Sequence, residues 1–252
     1  SSVRLSYGVG ETNAILEDFN DEYRIKMLRV KFLGKDRRIR ILSRINCDLV
    51  TTLLTDGYRC FFQRRFYEFL LSNPSQSRSG ACWFIDNEDG KTRYAAYRSL
   101  GIDPRNPKIK NAGILLMRAG LFGSDSIATA PIFPTQIKVI PDRINDAGAN
   151  FSDGIGVISL PLAQRVFELF QENSLTRTRV TNPAAFQIRF GGVKGVLTVD
   201  CTDLSNTVYF RPSQIKIDSF PETARKLRVV QVPDNRPGRM SEQLALGLEF
   251  LG

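Results

Sequence analysis

Apolar and polar positions change rhythm along the chain. Near its start, Tyr23, Ile25, Leu28, Val30 and Phe32 alternate with Arg24, Lys26, Arg29 and Lys31, the period-two signature of a half-buried strand. The alternation slips by one step at Met27–Leu28, which predicts a bulge. Ile45, Leu49, Leu53 and Leu54 stand at helical spacing before Gly57, predicting a short helix over 45–56. Two aromatic-rich strands follow, Arg64–Leu71 and Ala81–Ile85, joined by a polar loop over Asn73–Gly80 as a hairpin or paired edge. Asp86-Asn87-Glu88-Asp89-Gly90 lacks the ligand spacing of a calcium loop and reads as a turn. Residues 100–111 form a connector, and Ile109, Ala112, Leu116 and Ala119 predict a helix over Ile109–Phe122 that stops at Gly123.

From Ile127 onward the pattern is one of short β segments separated by Gly and Pro. Ile137–Pro141 is one strand, and Phe151–Ser159 is a glycine-broken turn running into another. Ser159 is placed to cap a helix from Pro161, with Leu162, Val166, Leu169 and Phe170 on one face. Ala185–Phe190, Gly195–Val199, Thr207–Phe210 and Ile215–Ile217 are further strand candidates. One helix among many short strands points to a barrel with a crossover helix. The expected fold class is therefore mixed α+β, a β-rich barrel over 126–235 preceded by an α/β region over 1–125. Residues 236–252 begin a helical connector, with Ser241 as cap and Leu244, Leu248 and Leu251 at helical spacing.

Composition narrows the chemistry. The 252 residues contain no histidine, which removes Ser-His-Asp and Cys-His nucleophile schemes and imidazole-dependent zinc sites. The hydrophobic fraction of 42% supports a core, and no stretch approaches the roughly 20 apolar residues of a membrane span, so no membrane partner is expected. The chain begins Ser-Ser without a signal-peptide pattern, as a piece of a longer intracellular protein would. Cys47, Cys60, Cys82 and Cys201 lie far apart with no CxxC pair and read as reduced core thiols. A net charge of +9 favours a polyanionic partner, nucleic acid before membrane. The excess is diffuse, although nine basic residues face a single acid, Asp36, between Arg24 and Arg44.

The densest chemistry lies in Phe186-Gln187-Ile188-Arg189-Phe190-Gly191-Gly192-Val193-Lys194-Gly195-Val196. Gly191, Gly192 and Gly195 permit positive φ and close backbone approach, while Arg189 and Lys194 bracket the turn. No GK[ST] follows and no helix starts there, so this is not a Walker A loop. The residues alone allow two readings, an anion site or a plain tight β-turn. Phe210-Arg211-Pro212-Ser213-Gln214-Ile215-Lys216 sets Arg211 and Lys216 around a Pro-Ser bend.

FSDGIGVIS (151–159), FQIRFGGVKGV (186–196) and FRPSQIKIDS (210–219), in that order, resemble the cellular RNA-dependent RNA polymerases of eukaryotic RNA silencing; FYEFLLSNPSQSRSGACWFID (66–86) extends the likeness more loosely upstream. The resemblance implies an active site built from two double-psi β-barrels. The first barrel supplies cations for nucleoside triphosphate and RNA phosphates, and the second carries a DxDGD-type motif for magnesium. Carried over by position, it assigns phosphate contacts to Arg189, Lys194 and Lys216, with Arg211 in support, and gives Asp153 a turn rather than a metal. No DxDGD or DxDxD occurs in the 252 residues, so magnesium is expected for the complete enzyme and not from this chain. No catalytic residue is expected here, and the chain is expected not to polymerise alone.

The partners so implied are an RNA template, nucleoside triphosphates and the carboxy-terminal half of the same enzyme, with silencing proteins as further candidates. Residence is intracellular, in nucleus or cytoplasm. The early basic run and Arg64-Arg65 would line a template channel. Two other readings stay open: a catalytically inactive RNA-binding or scaffold module with a basic barrel face, and a β-rich interaction domain whose GGVKG turn is structural.

Overall fold

A computed structural model describes residues 13–14, 26–31, 60–62, 64–78, 80–103, 111–174, 180–217 and 225–233. The helices expected over 45–56 and after Ser241, and most of the basic run after Arg24, lie outside these residues. What is described is mixed α+β, with the β-rich part following an α/β part, as the sequence predicts.

The first part contains β1 (Met27–Lys31), β2 (Cys60–Phe62), β3 (Arg65–Leu71), α1 (Pro74–Arg78), β4 (Ala81–Asp86), α2 (Thr92–Ser99) and α3 (Ala112–Gly120). Its strands form one antiparallel sheet in the order β1-β4-β3-β2. The polar loop between β3 and β4 contains the short helix α1 instead of remaining irregular. The register of β1 against β4 runs unbroken from Met27↔Ile85 to Lys31↔Ala81, so the expected bulge is absent from that pairing. Both Met27 and Leu28 are apolar because the sheet is covered on both faces: Met27 packs with Trp83 and Ile85, and Leu28 with Cys82 and Phe84. The register shift falls instead in β3, between Phe69 and Leu71, and turns Leu70 and Leu71 into the same core.

Helix α2 was not legible from periodicity. It starts where Asp89 Oδ1 accepts from the N–H groups of Lys91 and Thr92, each at 2.8 Å, and those bonds hold the Asp89 carboxyl below its usual range. The acidic stretch is thus a turn, as expected. Helix α3 begins at Ala112, later than Ile109, because the Asn111 side chain accepts from Ile114 N at 2.9 Å. The α2 ring Tyr97 is buried beneath β3, donating to Leu70 O, and burial pushes its phenol up to about 12.

The second part contains β5 (Ile127–Ile132), β6 (Ile137–Val139), β7 (Ile155–Ser159), α4 (Leu160–Asn173), β8 (Ala185–Phe190), β9 (Val193–Asp200), β10 (Val208–Phe210) and β11 (Arg225–Gln231). They form a seven-stranded sheet in the order β5-β11-β8-β9-β7-β10-β6. The β6/β10 and β7/β9 pairs are parallel and the rest antiparallel. Such interleaving of parallel and antiparallel pairs suits the expected double-psi β-barrel, although among the described residues no hydrogen-bonded pairing closes β5 onto β6.

The inward side chains Phe186, Ile188 and Phe190 of β8 alternate with half-buried Gln187 and Arg189. They pack with Leu162, Val166 and Phe170 of α4, Phe210 of β10 and Leu227 of β11. Phe190 and Phe210 stack with centroids 5.5 Å apart. Burial of each such side chain contributes about 1.5–3 kcal/mol. Ser159 stands at the α4 N-terminus but makes no side-chain cap; its hydroxyl accepts from Thr207 N at 3.0 Å, tying the helix start to β10. Ile215–Ile217, expected as a strand, makes one isolated bridge, Val193↔Ile215. Strand β11, paired between β5 and β8, is not predicted from the sequence. Nor are all the described thiols buried: Cys82 is, while Cys201 is exposed.

Candidate functional site

The tip of the β8–β9 hairpin organises the site. Phe190↔Val193 closes around Gly191-Gly192, so the preceding pair, Arg189↔Lys194, stands directly across the two strands on the outward face. Gly191 takes φ 53°, a left-handed conformation that glycine adopts at little cost. Gly192 and Gly195 answer to space rather than φ. A Cβ on Gly192 would overlap the Ile217 carbonyl, and one on Gly195 the Gly154 carbonyl.

That close approach brings in the third cation. Gly192 O accepts from Lys216 N at 2.8 Å and from Ile217 N at 3.2 Å, which stitches the bend after β10 to the hairpin tip. Three cations from separate chain segments therefore meet: Arg189, Lys194 and Lys216. Partial burial lowers the Lys194 ammonium pKa, and the charges of Arg189 and Lys216 lower it further. Burial likewise works against the Arg189 guanidinium charge. Arg189 Nη1 donates to Ile188 O at 2.8 Å, while its Nε is shut off from solvent without a hydrogen-bond partner. Lys216 Nζ donates to Ser213 O. Among the described residues no carboxylate forms an ion pair with any of the three.

Arg211 is set apart from this group. It is 7% exposed and its Nη1 donates to Pro141 O, so the guanidinium is spent beneath the bend rather than offered to solvent. Two residues missed in the sequence shape the bend. Gln214 is fully buried, accepting from Arg211 N at 3.0 Å and donating to Val196 O at 3.2 Å. Asp142 accepts from Ser213 N (3.0 Å), Ser213 Oγ (2.6 Å) and Ser152 Oγ (3.3 Å). The Ser213 hydroxyl above all holds its carboxyl below the usual range. Asp142 carried no sequence signal because its partner Ser213 is remote in the chain, whereas Gln214 combines a local bond to Arg211 N with a longer-range one to Val196 O.

Asp153 is exposed in the Phe151–Gly154 turn. The donor set does not suit magnesium. Among the described residues no three Asp, Glu or Cys cluster, Asp142 is engaged by serines, and Asp200 and Asp203 hold turn N–H groups. What the cations can do is hold an anion with several oxygens, such as a phosphate, at a point where fixed donors converge.

The fold and this cluster mark a β-rich domain that gathers cations at one hairpin tip, and comparison with known proteins gives its family. The family model described as RNA dependent RNA polymerase matches residues 5–252. RNA-dependent RNA polymerase 1 of Arabidopsis thaliana is 31% identical across 97% of this chain and 22% of its own length. RNA-dependent RNA polymerase 6 of the same plant is 36% identical over 59% of this chain and 12% of its own. RNA-dependent RNA polymerase 1 of Schizosaccharomyces pombe is 30% identical over 92% of the chain and 18% of its own. Among solved structures, RNA dependent RNA polymerase QDE-1 from Thielavia terrestris shares the fold over 96% of this chain and 27% of its own, with TM-score 0.69 and 20% identity. The chain belongs to the RNA-dependent RNA polymerase family, and spans roughly a fifth or less of the length of the three sequence relatives. Among the described residues no helix is long and apolar enough to cross a membrane.

Proposed function

We propose that this chain is the phosphate-holding part of an RNA-directed RNA polymerase that makes complementary, double-stranded RNA for RNA silencing. The convergence of Arg189, Lys194 and Lys216 without a facing carboxylate carries the reading. On it, residues 126–235 are the first barrel, residues 1–125 wall the template channel, and 236–252 lead to the remaining part. RNA template and nucleoside triphosphates bind across the two parts, inside the cell.

The chemistry these residues supply is electrostatic. Charge that grows on phosphate oxygens during nucleotidyl transfer meets cations already held in place, so little reorganisation is needed at the moment of reaction. Lys194 contributes an ammonium set across the hairpin from Arg189, Arg189 a part-buried guanidinium, and Lys216 a second ammonium tethered to Ser213 O. Arg211 anchors the bend that presents Lys216. Magnesium belongs to the complete enzyme; the residues described here do not fit it, and their part in the reaction is to bind, orient and neutralise. Alone, the chain binds nucleotide and RNA phosphates weakly and does not polymerise.

The test is Lys194→Ala in the full-length enzyme. Loss of one preorganised donor lowers the rate of nucleotide incorporation by on the order of 10²–10³, while thermal unfolding stays unchanged. Incorporation at the unmodified rate would remove Lys194 from the site.

A further inference from the structure

The FSDG turn lies between the two cation-bearing loops. On one side Gly154 O accepts from Val196 N at 2.9 Å and abuts Gly195, the residue after Lys194. On the other, Gly154 N donates to Ser213 Oγ at 3.1 Å, and Ser152 and Ser213 share Asp142. Its own backbone is pinned as well: Phe151 N donates to Arg143 O at 2.8 Å, and Ile155 N to Ser152 O at 2.9 Å. At the head of this rigid turn the Phe151 ring is 73% exposed, with Ile144 on the facing segment 61% exposed. A single apolar residue in water needs no explanation. An exposed aromatic residue at the head of a turn whose backbone is hydrogen-bonded to both cation-bearing loops is a different case, because that backbone sets where the ring is rooted.

We propose that Phe151 is a stacking platform for a base of single-stranded RNA whose backbone phosphates lie on Lys194 and Lys216. The inference rests on the phosphate-holding reading above. An exposed aromatic next to a cationic track is the pairing that single-strand binding uses: cations take the backbone, and the ring takes any base without regard to sequence. The preset turn limits the ordering cost of the contact. Asp153, exposed in the same turn, repels the backbone from the Phe151 side and favours phosphates on the lysine side.

The experiment uses the 252-residue chain and a fluorescent single-stranded RNA oligomer, read by anisotropy over a salt series. Phe151→Ala is expected to weaken binding about tenfold, the worth of one base–aromatic stack, and to leave the salt slope unchanged because no charge is lost. Lys194→Ala is expected to lower the slope by about 0.7, one phosphate on a single strand. Phe151→Trp keeps the affinity, and its emission is quenched as RNA binds. On an oligomer of the same length with abasic sites, the unsubstituted chain and Phe151→Ala bind alike. If Phe151→Ala binds normal RNA as well as the unsubstituted chain while Lys194→Ala does not, stacking is overturned and the phosphate reading stands; the ring then faces another part of the polymerase. If the unsubstituted chain does not bind RNA, both are overturned.

Discussion

Named cations of the two parts are held differently. Beside the four-stranded sheet several are matched. Arg93 lies 3.4 Å from Glu68, and Arg65 lies 3.4 Å from Asp86. Arg29 stands over the Trp83 ring at 6.0 Å and Arg93 over Tyr94 at 5.6 Å. Glu68 is itself buried and takes a bond from Asn87 Nδ2 at 2.7 Å. In the seven-stranded sheet Arg189, Lys194 and Lys216 meet with no carboxylate partner among the described residues and at mutual electrostatic cost. Charge that is matched is accounted for within the fold; charge left unmatched against repulsion points to a ligand outside it. Among the described residues the diffuse +9 of the sequence thus includes cations with partners in the fold and a cluster without a carboxylate partner.

The comparison breaks most sharply at the backbone. Gly195→Val would drive a side chain into the Gly154 carbonyl and the Gln214 amide, and overpacking of this kind costs about 1–3 kcal/mol or more. Both stability in urea and RNA affinity should fall, since the cation loops move with the hairpin. A variant that unfolds at the original midpoint would show that the close approach is dispensable. Glu68→Ala comes next and should separate the two properties. Removing one member of a buried, hydrogen-bonded set leaves Asn87 and Arg93 without it, at about 1–3 kcal/mol, and RNA affinity should not change. A loss of affinity in this variant would place the first sheet in the binding surface and dissolve the contrast.

Lys194→Met is the converse. Stability should stay within about 0.5 kcal/mol, as for surface substitutions generally, with relief of repulsion acting in its favour, while the affinity and salt slope for RNA drop. Destabilisation with unchanged affinity would put Lys194 among the cations that serve the fold.

What could be read from the sequence divides along the same physical line. Helix α4 was legible because Leu162, Val166 and Phe170 recur at its own period, and β8 because its alternation is strict. The three glycines mark a turn bracketed by Arg189 and Lys194, but the direct pairing of those two residues shows only in the structure, where β9 starts at Val193 rather than Gly195. Lys216 could be placed beside them only by resemblance; its neighbour in space, Gly192, is far along the chain. Strand β11 was hidden because its charged positions, Arg225, Lys226 and Arg228, mask the alternation; Arg228 is in fact 2% exposed, bonded to Ser126. Helix α2 was hidden because Asp89 caps it from outside the usual position. Local periodicity exposes elements, and long-range hydrogen bonds decide which of their side chains meet.

The smallest effect is also the most selective. The Lys194 pKa is lowered in the free folded chain, first by burial and then by Arg189 and Lys216. In the unfolded chain those causes vanish, so between the depressed and ordinary values the unfolded state binds more protons, and folded stability rises with pH. A bound phosphate acts in the opposite sense, restoring the ammonium, so RNA affinity is full below the depressed pKa and declines as pH rises through the same window. One proton is involved, and the decline from this residue is no steeper than about tenfold per pH unit. Lys194→Arg keeps a positive charge that does not titrate in this range. It should flatten both curves relative to the unsubstituted chain, measured as unfolding midpoint and anisotropy from neutral pH upward. If its curves superimpose on the original ones, the titrating group lies elsewhere, and Lys194 is not the residue on which the unmatched charge is poised.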